Sequence, residues 1–121
     1  MKEILIVDDN LPLHAIMRKM LELMGYDSIS AASGKECLSK AVSEKPDLII
    51  LDIGLPDMDG RDVARLLRSD PATKDIPILA LTAMFDLALG KSCLEAGCDD
   101  YLLKPVTQQV LREKLQTLLG I

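Results

Sequence analysis

The chain alternates short, continuously apolar runs with segments whose apolar residues recur at helical spacing. Three runs, at residues 4–7, 48–51 and 76–81, are bounded by polar or turn residues, which is typical of strands buried on both faces of a sheet. Two weaker strands are predicted at 26–31, which polar residues interrupt, and at 101–103, which is short. Such strands are typical of sheet edges. The pattern therefore predicts three central strands and two edge strands.

A helical pattern follows each predicted strand. The five predicted helices cover residues 13–24, 34–44, 60–68, 86–96 and 107–119. The residues predicted to face the core are Leu13, Ile16, Met17, Met20, Leu21 and Met24 in the first helix and Val63, Leu66 and Leu67 in the third. Arg61, Arg65 and Arg68 are predicted to form the exposed face of the third helix, and His14 is predicted to be partly exposed and without function.

Strands that alternate with helices predict an α/β fold, because parallel neighbouring strands need a crossover connection that places helices on the faces of the sheet. With the strong strands central and the weak ones at the edges, strand order 2-1-3-4-5 satisfies the pattern. We therefore expect residues 1–121 to form one doubly wound (βα)5 domain with a five-stranded parallel sheet and no attached output domain. Ligands should bind where the order reverses, between strands one and three.

Charge and composition exclude several classes of function. A net charge of −5 gives no general attraction to nucleic acid or anionic membranes. The longest apolar runs are about half of the roughly 20 residues that a membrane span needs. Cys37, Cys93 and Cys98 are odd in number and lack a C-x-x-C pair, so buried thiols in a reducing cytoplasm are expected. We expect a cytoplasmic protein that binds neither DNA nor membranes directly.

Three carboxylates are predicted to meet at the switch point. Asp8 and Asp9 follow the first strand, and Asp52 ends the third. Asp8 and Asp9 alone are more simply explained as turn residues at a strand end. Three like charges in one crevice, however, destabilise a fold unless a cation offsets them, and carboxylate oxygens suit a hard ion such as Mg²⁺.

Two further polar residues are predicted at the same edge of the sheet. Thr82 ends the fourth strand and Lys104 ends the fifth. Singly, Thr82 fits an ordinary β-branched strand residue and Lys104 a surface lysine. Together with the carboxylates they supply a nucleophile, a metal site, a hydroxyl donor and an ammonium, which phosphoryl transfer requires.

The start of the predicted fourth helix is unusually apolar. Met84, Phe85, Leu87 and Leu89 are too many for one inward stripe and fit either a tight loop on the core or a docking surface. Gly90 within the helix is predicted to lower its stability by roughly 0.5 to 1 kcal/mol relative to Ala, which would make the helix movable.

The motifs at these positions resemble those of bacterial two-component receiver domains. They are I-L-I-V-D-D-N at 4–10, D-I-G-L-P-D-M-D-G at 52–60, L-T-A at 81–83 and A-G-C-D-D-Y-L-L-K-P-V at 96–106. The resemblance covers the whole chain, and the strand order 2-1-3-4-5 is also that of chemotaxis receivers. It implies a phosphoacceptor that takes its phosphoryl group from a histidine kinase or a histidine phosphotransfer protein and catalyses only its own phosphorylation and dephosphorylation.

The resemblance also implies a role for individual residues. Asp52 would be phosphorylated, and Mg²⁺ would bind Asp9, Asp52 and the main-chain carbonyl of Gly54, with Asp8 acting through water. Thr82 would bond the phosphoryl oxygen and Lys104 would pair with it. Tyr101 would turn inward on activation, and helix four, strand five and helix five would form the face that a downstream protein binds. The Lys104–Pro105 peptide bond would be cis.

Three other interpretations of the same residues are disfavoured. An aspartyl-phosphate phosphatase of the haloacid dehalogenase type needs a second acid two residues after the nucleophile, where this chain has Gly54. A flavodoxin-like binding module of the same topology is disfavoured because neither G-x-G-x-x-G nor G-x-x-x-x-G-K-[ST] occurs. A degenerate receiver would lack one of Asp9, Asp52, Thr82 or Lys104, and all four are present. Gly54 itself departs from the family, which usually has a larger residue there.

Overall fold

The computed structural model describes residues 1–83 and 87–121 as alternating strands and helices. The strands are β1 (Glu3–Val7), β2 (Asp27–Ala31), β3 (Leu48–Asp52), β4 (Ile78–Thr82) and β5 (Asp100–Leu103). The helices are α1 (Leu11–Leu23), α2 (Gly34–Glu44), α3 (Gly60–Ser69), α4 (Leu87–Ala96) and α5 (Gln108–Leu119). All strand pairs are parallel in the order 2-1-3-4-5, which confirms the predicted fold class and order. Asp86, the predicted start of helix four, and Met84 and Phe85 lie outside the described residues.

The sheet has an apolar layer on each face because side chains alternate along its central strands. One layer packs on α1 and α5 through Met17, Leu21, Leu111 and Leu115. The other packs on α2, α3 and α4 and contains all three cysteines. The cysteines are buried and form no disulfide, as predicted, and burial raises the pKa of both Cys37 and Cys98 to about 12.

The predicted fourth strand began two residues too early. The strand starts at Ile78, because Pro77 has no N–H to donate to a neighbouring strand. Its carbonyl still accepts the N–H of Ile49 at 2.9 Å, whereas the N–H of Ile76 closes a turn onto Thr73. The apolar run therefore includes the end of a turn as well as a strand.

Two residues predicted to face the core are exposed. Ile16 is 54% exposed, because the buried stripe of α1 runs through His14, Met17 and Leu21 instead. Leu66 of α3 is 45% exposed, because the small side chain of Ala64 faces the core in its place. In each helix a polar or small residue faces the core at a position that apolarity alone did not predict. The predictions for Ile16 and Leu66 were therefore wrong.

The arginines of α3 are not a uniformly exposed face. Arg65 is exposed, as predicted. Arg68 instead donates to the carbonyls of Lys74, Ile76 and Gly97 and to the carboxylate of Asp99, at 2.6 to 2.9 Å. It therefore ties the end of α3 to the loops that precede β4 and β5.

Gly90 allows α4 to approach β5 closely. A Cβ at this position would lie 2.6 Å from Cζ of the Tyr101 ring, inside van der Waals contact. The ring is half-buried and packs on the layer formed with α2, α3 and α4. Gly90 thus makes room for an aromatic ring, and its unfavourable helix propensity is only part of its effect on stability.

We predict that Gly90→Ala displaces the Tyr101 ring and fails to stabilise the wild-type chain. In a Tyr101→Ala background the same change should stabilise by roughly 0.5 to 1 kcal/mol, because only the better helix propensity of alanine remains. Thermal unfolding of the four proteins measures this coupling. Equal stabilisation in both backgrounds would show that the ring does not rest on Gly90.

Candidate functional site

Three carboxylates meet at the carboxyl edge of the sheet, between β1 and β3. Asp8 follows β1 and is fully buried, Asp52 ends β3 and is 6% exposed, and Asp9 is exposed. One oxygen from each lies within 4.8 Å of the others. The register explains the convergence, since Val7 pairs with Leu51 and the next residue of each strand is an aspartate.

Lys104 connects the two buried carboxylates. Its ammonium Nζ lies 3.1 Å from Oδ2 of Asp8 and 3.4 Å from Oδ1 of Asp52. The N–H of Lys104 donates to the carbonyl of Thr82 at 2.8 Å, and the following peptide bond to Pro105 is cis. One partly exposed positive charge is therefore shared by two buried negative charges.

The electrostatics of Asp52 follow from this sharing. Burial raises the pKa of Asp52, the neighbouring carboxylate of Asp8 raises it further, and Lys104 and the N–H of Gly54 lower it in part. Within residues 1–83 and 87–121, the polar contacts of Asp52 fall on Oδ1, which accepts from Gly54 at 3.3 Å and faces Lys104. The Asp52 carboxylate is thus less stabilised than an ordinary surface carboxylate.

The loop between β3 and α3 is held close to Asp52 by backbone contacts. Gly60, the first residue of α3, donates its N–H to the carbonyl of Ile53 at 2.8 Å. A Cβ on Gly60 would lie 2.6 Å from the carbonyl oxygen of Asp52, so only glycine fits. Gly54 pairs with Asp59 across this loop, which closes it into a narrow turn.

Two aspartates of this loop anchor neighbouring helices. Asp57 accepts the N–H groups of Gly34 at 2.8 Å and Lys35 at 3.0 Å, and these bonds at the start of α2 lower its pKa. Asp59 is the N-cap of α3, and its ion pair with Arg61 at 2.6 Å lowers its pKa. Arg61 also donates to the hydroxyl of Ser92 on α4 at 2.9 Å. The loop beside Asp52 is therefore fixed to α2 and α3, and Arg61 links α3 to α4.

A cleft of about 450 Å³ opens beside Asp52. Asp52, Gly54, Thr82 and Lys104 line it, together with Asp59 and Leu89. A Cβ built on Gly54 would meet nothing within 4 Å, so the mouth is open at this position. Thr82 is 3% exposed and lines the same cleft as Asp52.

The donor set fits a hard divalent cation. The acidic cluster offers oxygen ligands only, and the negative charge of three carboxylates exceeds the single charge of Lys104. Asp8 is already engaged on both oxygens, by the N–H of Asn10 at 2.8 Å and by Lys104. Asp9 and Asp52 are consequently the carboxylates better placed for direct coordination.

The structure brings together Asp8, Asp9, Asp52, Gly54, Thr82 and Lys104, whereas Tyr101 lies on β5 against α4, outside the cleft lining. The contributions of Asp57, Asp59 and His14 were not predicted from the sequence. His14 is buried, contrary to the prediction, and its ring contacts the main chain of Asp8. Its spacing of three and seven residues from Met17 and Leu21 was the available signal.

The chain matches one protein family and is similar in sequence to curated regulatory proteins. The family model described as response regulator receiver domain matches residues 4–116. The chain is 43% identical to the alkaline phosphatase synthesis transcriptional regulatory protein PhoP of Bacillus subtilis, covering 98% of this chain and 48% of that protein. It is 40% identical to the phosphate regulon transcriptional regulatory protein PhoB of Pseudomonas aeruginosa, covering 98% of this chain and 52% of that protein. The chain therefore spans about half the length of these curated relatives.

Solved structures of other proteins share the fold of this chain. A putative response regulator from Chloroflexus aurantiacus superposes with a TM-score of 0.95 and 37% identity, over 99% of this chain and 98% of the other. The receiver domain of a sensor histidine kinase from Pseudomonas aeruginosa gives a TM-score of 0.91 and 34% identity over the same shares, and it has a magnesium ion in its active-site cleft. Across the described part of this chain, no helix is long and apolar enough to cross a membrane.

We predict that Asp52→Asn stabilises the metal-free protein by about 1 kcal/mol, the low end of the gain found when buried ion pairs are replaced by neutral side chains. The change leaves Lys104 paired with Asp8 alone, so that one ammonium faces one buried carboxylate instead of two. Urea unfolding at neutral pH measures the gain. Asp62→Asn, the same chemical change on the exposed side of α3, is the matched control and should have little effect.

The gain should depend on pH with a definite sign. Because the pKa of Asp52 is raised, the folded wild type binds this proton more tightly than the unfolded chain, so the contribution of Asp52 to stability falls as pH rises through the folded pKa. The advantage of Asp52→Asn should therefore shrink as pH is lowered. A difference that grows on acidification would contradict this electrostatic account.

Proposed function

Because the chain belongs to the family of response regulator receiver domains, we propose that it accepts a phosphoryl group on Asp52 and thereby changes the surface it offers to a partner. The observation that carries the proposal is that Asp52 belongs to a cluster of three carboxylates and also lines one open cleft with Thr82 and Lys104. No other cluster of three or more metal-binding side chains occurs in residues 1–83 and 87–121.

The proposed reaction is a phosphoryl transfer to a carboxylate. An oxygen of Asp52 attacks phosphorus, an O–P bond forms, and the P–N bond of a phosphohistidine breaks, with the electron pair and a proton going to the imidazole. With acetyl phosphate a P–O bond breaks instead and acetate leaves. Because Oδ1 already contacts Gly54 and Lys104, we take Oδ2 as the attacking oxygen. The burial and raised pKa of the Asp52 carboxyl group make its carboxylate a stronger nucleophile.

Mg²⁺ is the cofactor that the donor set fits. We propose that Asp9, Asp52 and the main-chain carbonyl of Gly54 hold it directly and that Asp8 acts through water. When bound, it supplies charge neutralisation for the phosphoryl oxygens. The magnesium ion in the related histidine-kinase receiver domain supports this assignment.

Lys104 and Thr82 have distinct proposed roles. The ammonium of Lys104 is already within 3.4 Å of Asp52, so a small shift would pair it with a phosphoryl oxygen. Thr82 would donate its hydroxyl to another phosphoryl oxygen, worth about 1.5 to 3 kcal/mol for a hydrogen bond to a charged group. Bonds of this size that form in only one state can reverse a balance of a few kcal/mol between two conformations.

The proposed partners follow from this chemistry. A histidine kinase or a histidine phosphotransfer protein would supply the phosphoryl group. A downstream protein would bind the face formed by α4, β5 and α5, where Tyr101 rests on Gly90. The chain would catalyse only its own phosphorylation and dephosphorylation. An aspartyl-phosphate phosphatase is not favoured, since Gly54 offers no acid at the mouth of the cleft.

We predict that acetyl phosphate and Mg²⁺ add one phosphoryl group to the wild type and none to Asp52→Asn, because an amide nitrogen is a poor nucleophile. Intact-protein mass spectrometry measures the added mass. Asp62→Asn should label as the wild type does. Lys104→Ala should label about 10²-fold more slowly, since a charge that stabilises the transition state is lost. Full labelling of Asp52→Asn would move the function to another residue.

The proposed switch has its own test. Beryllofluoride, which stands in for the phosphoryl group, should shift the amides of Thr82, Ala83, α4 and residues 100–106 as well as those at the site. Thr82→Ala should still bind it at Asp52 but show weaker shifts in α4 and β5. Tyr101→Ala should mainly alter partner binding. If the wild type binds beryllofluoride at Asp52 and α4 and β5 stay unchanged, the domain stores a phosphoryl group without switching.

A further inference from the structure

His14 lies in the first turn of α1 and reaches back to the loop that follows β1. It is 5% exposed, and its Nε2 is hydrogen bonded to the main-chain carbonyl of Asp8. A carbonyl can only accept, so the ring proton is on Nε2 and His14 is the donor. The other ring nitrogen, Nδ1, is buried without a hydrogen-bond partner among the described residues. The contact with Asp8 is therefore the polar contact that orients the ring.

This contact completes the restraint of Asp8. Its N–H donates to the carbonyl of Ala31 at 3.0 Å, and its two carboxylate oxygens accept from Asn10 at 2.8 Å and Lys104 at 3.1 Å. The carbonyl is the remaining polar atom, and His14 binds it. Every polar group of Asp8 is thus held by the protein.

The carbonyl of Asp8 belongs to the peptide that continues into Asp9. Because this peptide is planar, fixing its oxygen also fixes the N–H of Asp9 and the direction of the chain toward the Asp9 side chain. On the other side the loop is held by Asn10, which caps α1 by accepting the N–H of Leu13 at 3.1 Å and whose carbonyl accepts the N–H of His14 at 3.1 Å. His14 therefore joins the helix to the peptide between the two aspartates.

We propose that His14 is a positioning residue for the metal-binding loop at residues 8–10, acting through the Asp8–Asp9 peptide. The proposal rests on the proposed function, which makes Asp9 a ligand of Mg²⁺. Without the imidazole donor the buried carbonyl loses its partner, and the peptide is free to rotate toward another donor or water. Asp9, which is exposed, then loses its fixed approach to the metal.

The test compares four variants by Mg²⁺ titration, followed through the amide NMR signals of residues 8–10 and 52–54. His14→Leu keeps an apolar body of similar size and removes the donor, and it should weaken Mg²⁺ binding about 10-fold, as loss of an outer-shell partner does. His14→Gln carries an N–H at the reach of Nε2 and should restore binding to within about 3-fold of the wild type. His14→Asn is too short to reach the carbonyl and should behave like His14→Leu.

Met17→Ala is the control for general destabilisation of α1. Met17 is fully buried one turn along the same stripe, and its truncation costs stability without touching the loop. It should lower the free energy of unfolding and leave the Mg²⁺ affinity unchanged. Should His14→Leu fail to fold, the difference between the glutamine and asparagine variants decides the question.

A second readout needs no metal. In the metal-free protein, amide hydrogen exchange at Asn10, whose N–H donates to the carboxylate of Asp8, should speed up in His14→Leu and in His14→Asn but not in His14→Gln. Wild-type Mg²⁺ affinity and unchanged exchange in His14→Leu would overturn the positioning role while leaving the proposed function intact. A wild type that binds no Mg²⁺ at these residues would overturn the proposed function itself, together with this inference.

Discussion

Two buried carboxylates that share one ammonium are the constraint on which the site depends. Asp8 and Asp52 lie at adjacent strand ends, and Lys104 is within 3.4 Å of both. Neither carboxylate is fully neutralised, so this edge of the sheet has excess negative charge in a poorly solvated place. In the proposed function a phosphoryl group or a metal ion would change that balance directly, and the balance of charge would link the chemistry to the conformation.

The apolar core of the fold offsets the destabilising effect of these charges. Central strands buried on both faces supply the apolar contacts of the domain, and parallel pairing delivers their carboxyl ends to one edge. The polar groups therefore occupy the rim of an apolar sheet without interrupting it. The N–H groups of Gly54 and Asn10 donate to Asp52 and Asp8 and partly stabilise the two carboxylates.

Strand ends and the residues that follow them could be predicted from the sequence, because each central strand is a run of apolar residues that stops at a polar one. The inward faces of the helices were predicted less well. His14 faces inward with its ring bonded to the main chain of Asp8, and Ala64 faces inward with a small side chain, so the apolarity of the residue alone indicates neither position. Gly90 was likewise interpreted by its helix propensity, whereas the ring that it accommodates is distant in sequence. Contacts between residues far apart in the chain decide these positions.

Hydrogen bonds hold the site on the side of α2, whereas an apolar contact bounds it on the side of α4. A change of shape is therefore easier on the side of α4. The loop after Asp52 is held to α2 by the directional hydrogen bonds of Asp57, so a shift there would break them. On the other side, Tyr101 meets α4 through the apolar contact of its ring with Gly90. Such a contact is not directional, so β5 and α4 can shift against each other at the ring without breaking a hydrogen bond. A rearrangement that begins at Asp52 should therefore leave α2 in place and move the boundary between β5 and α4.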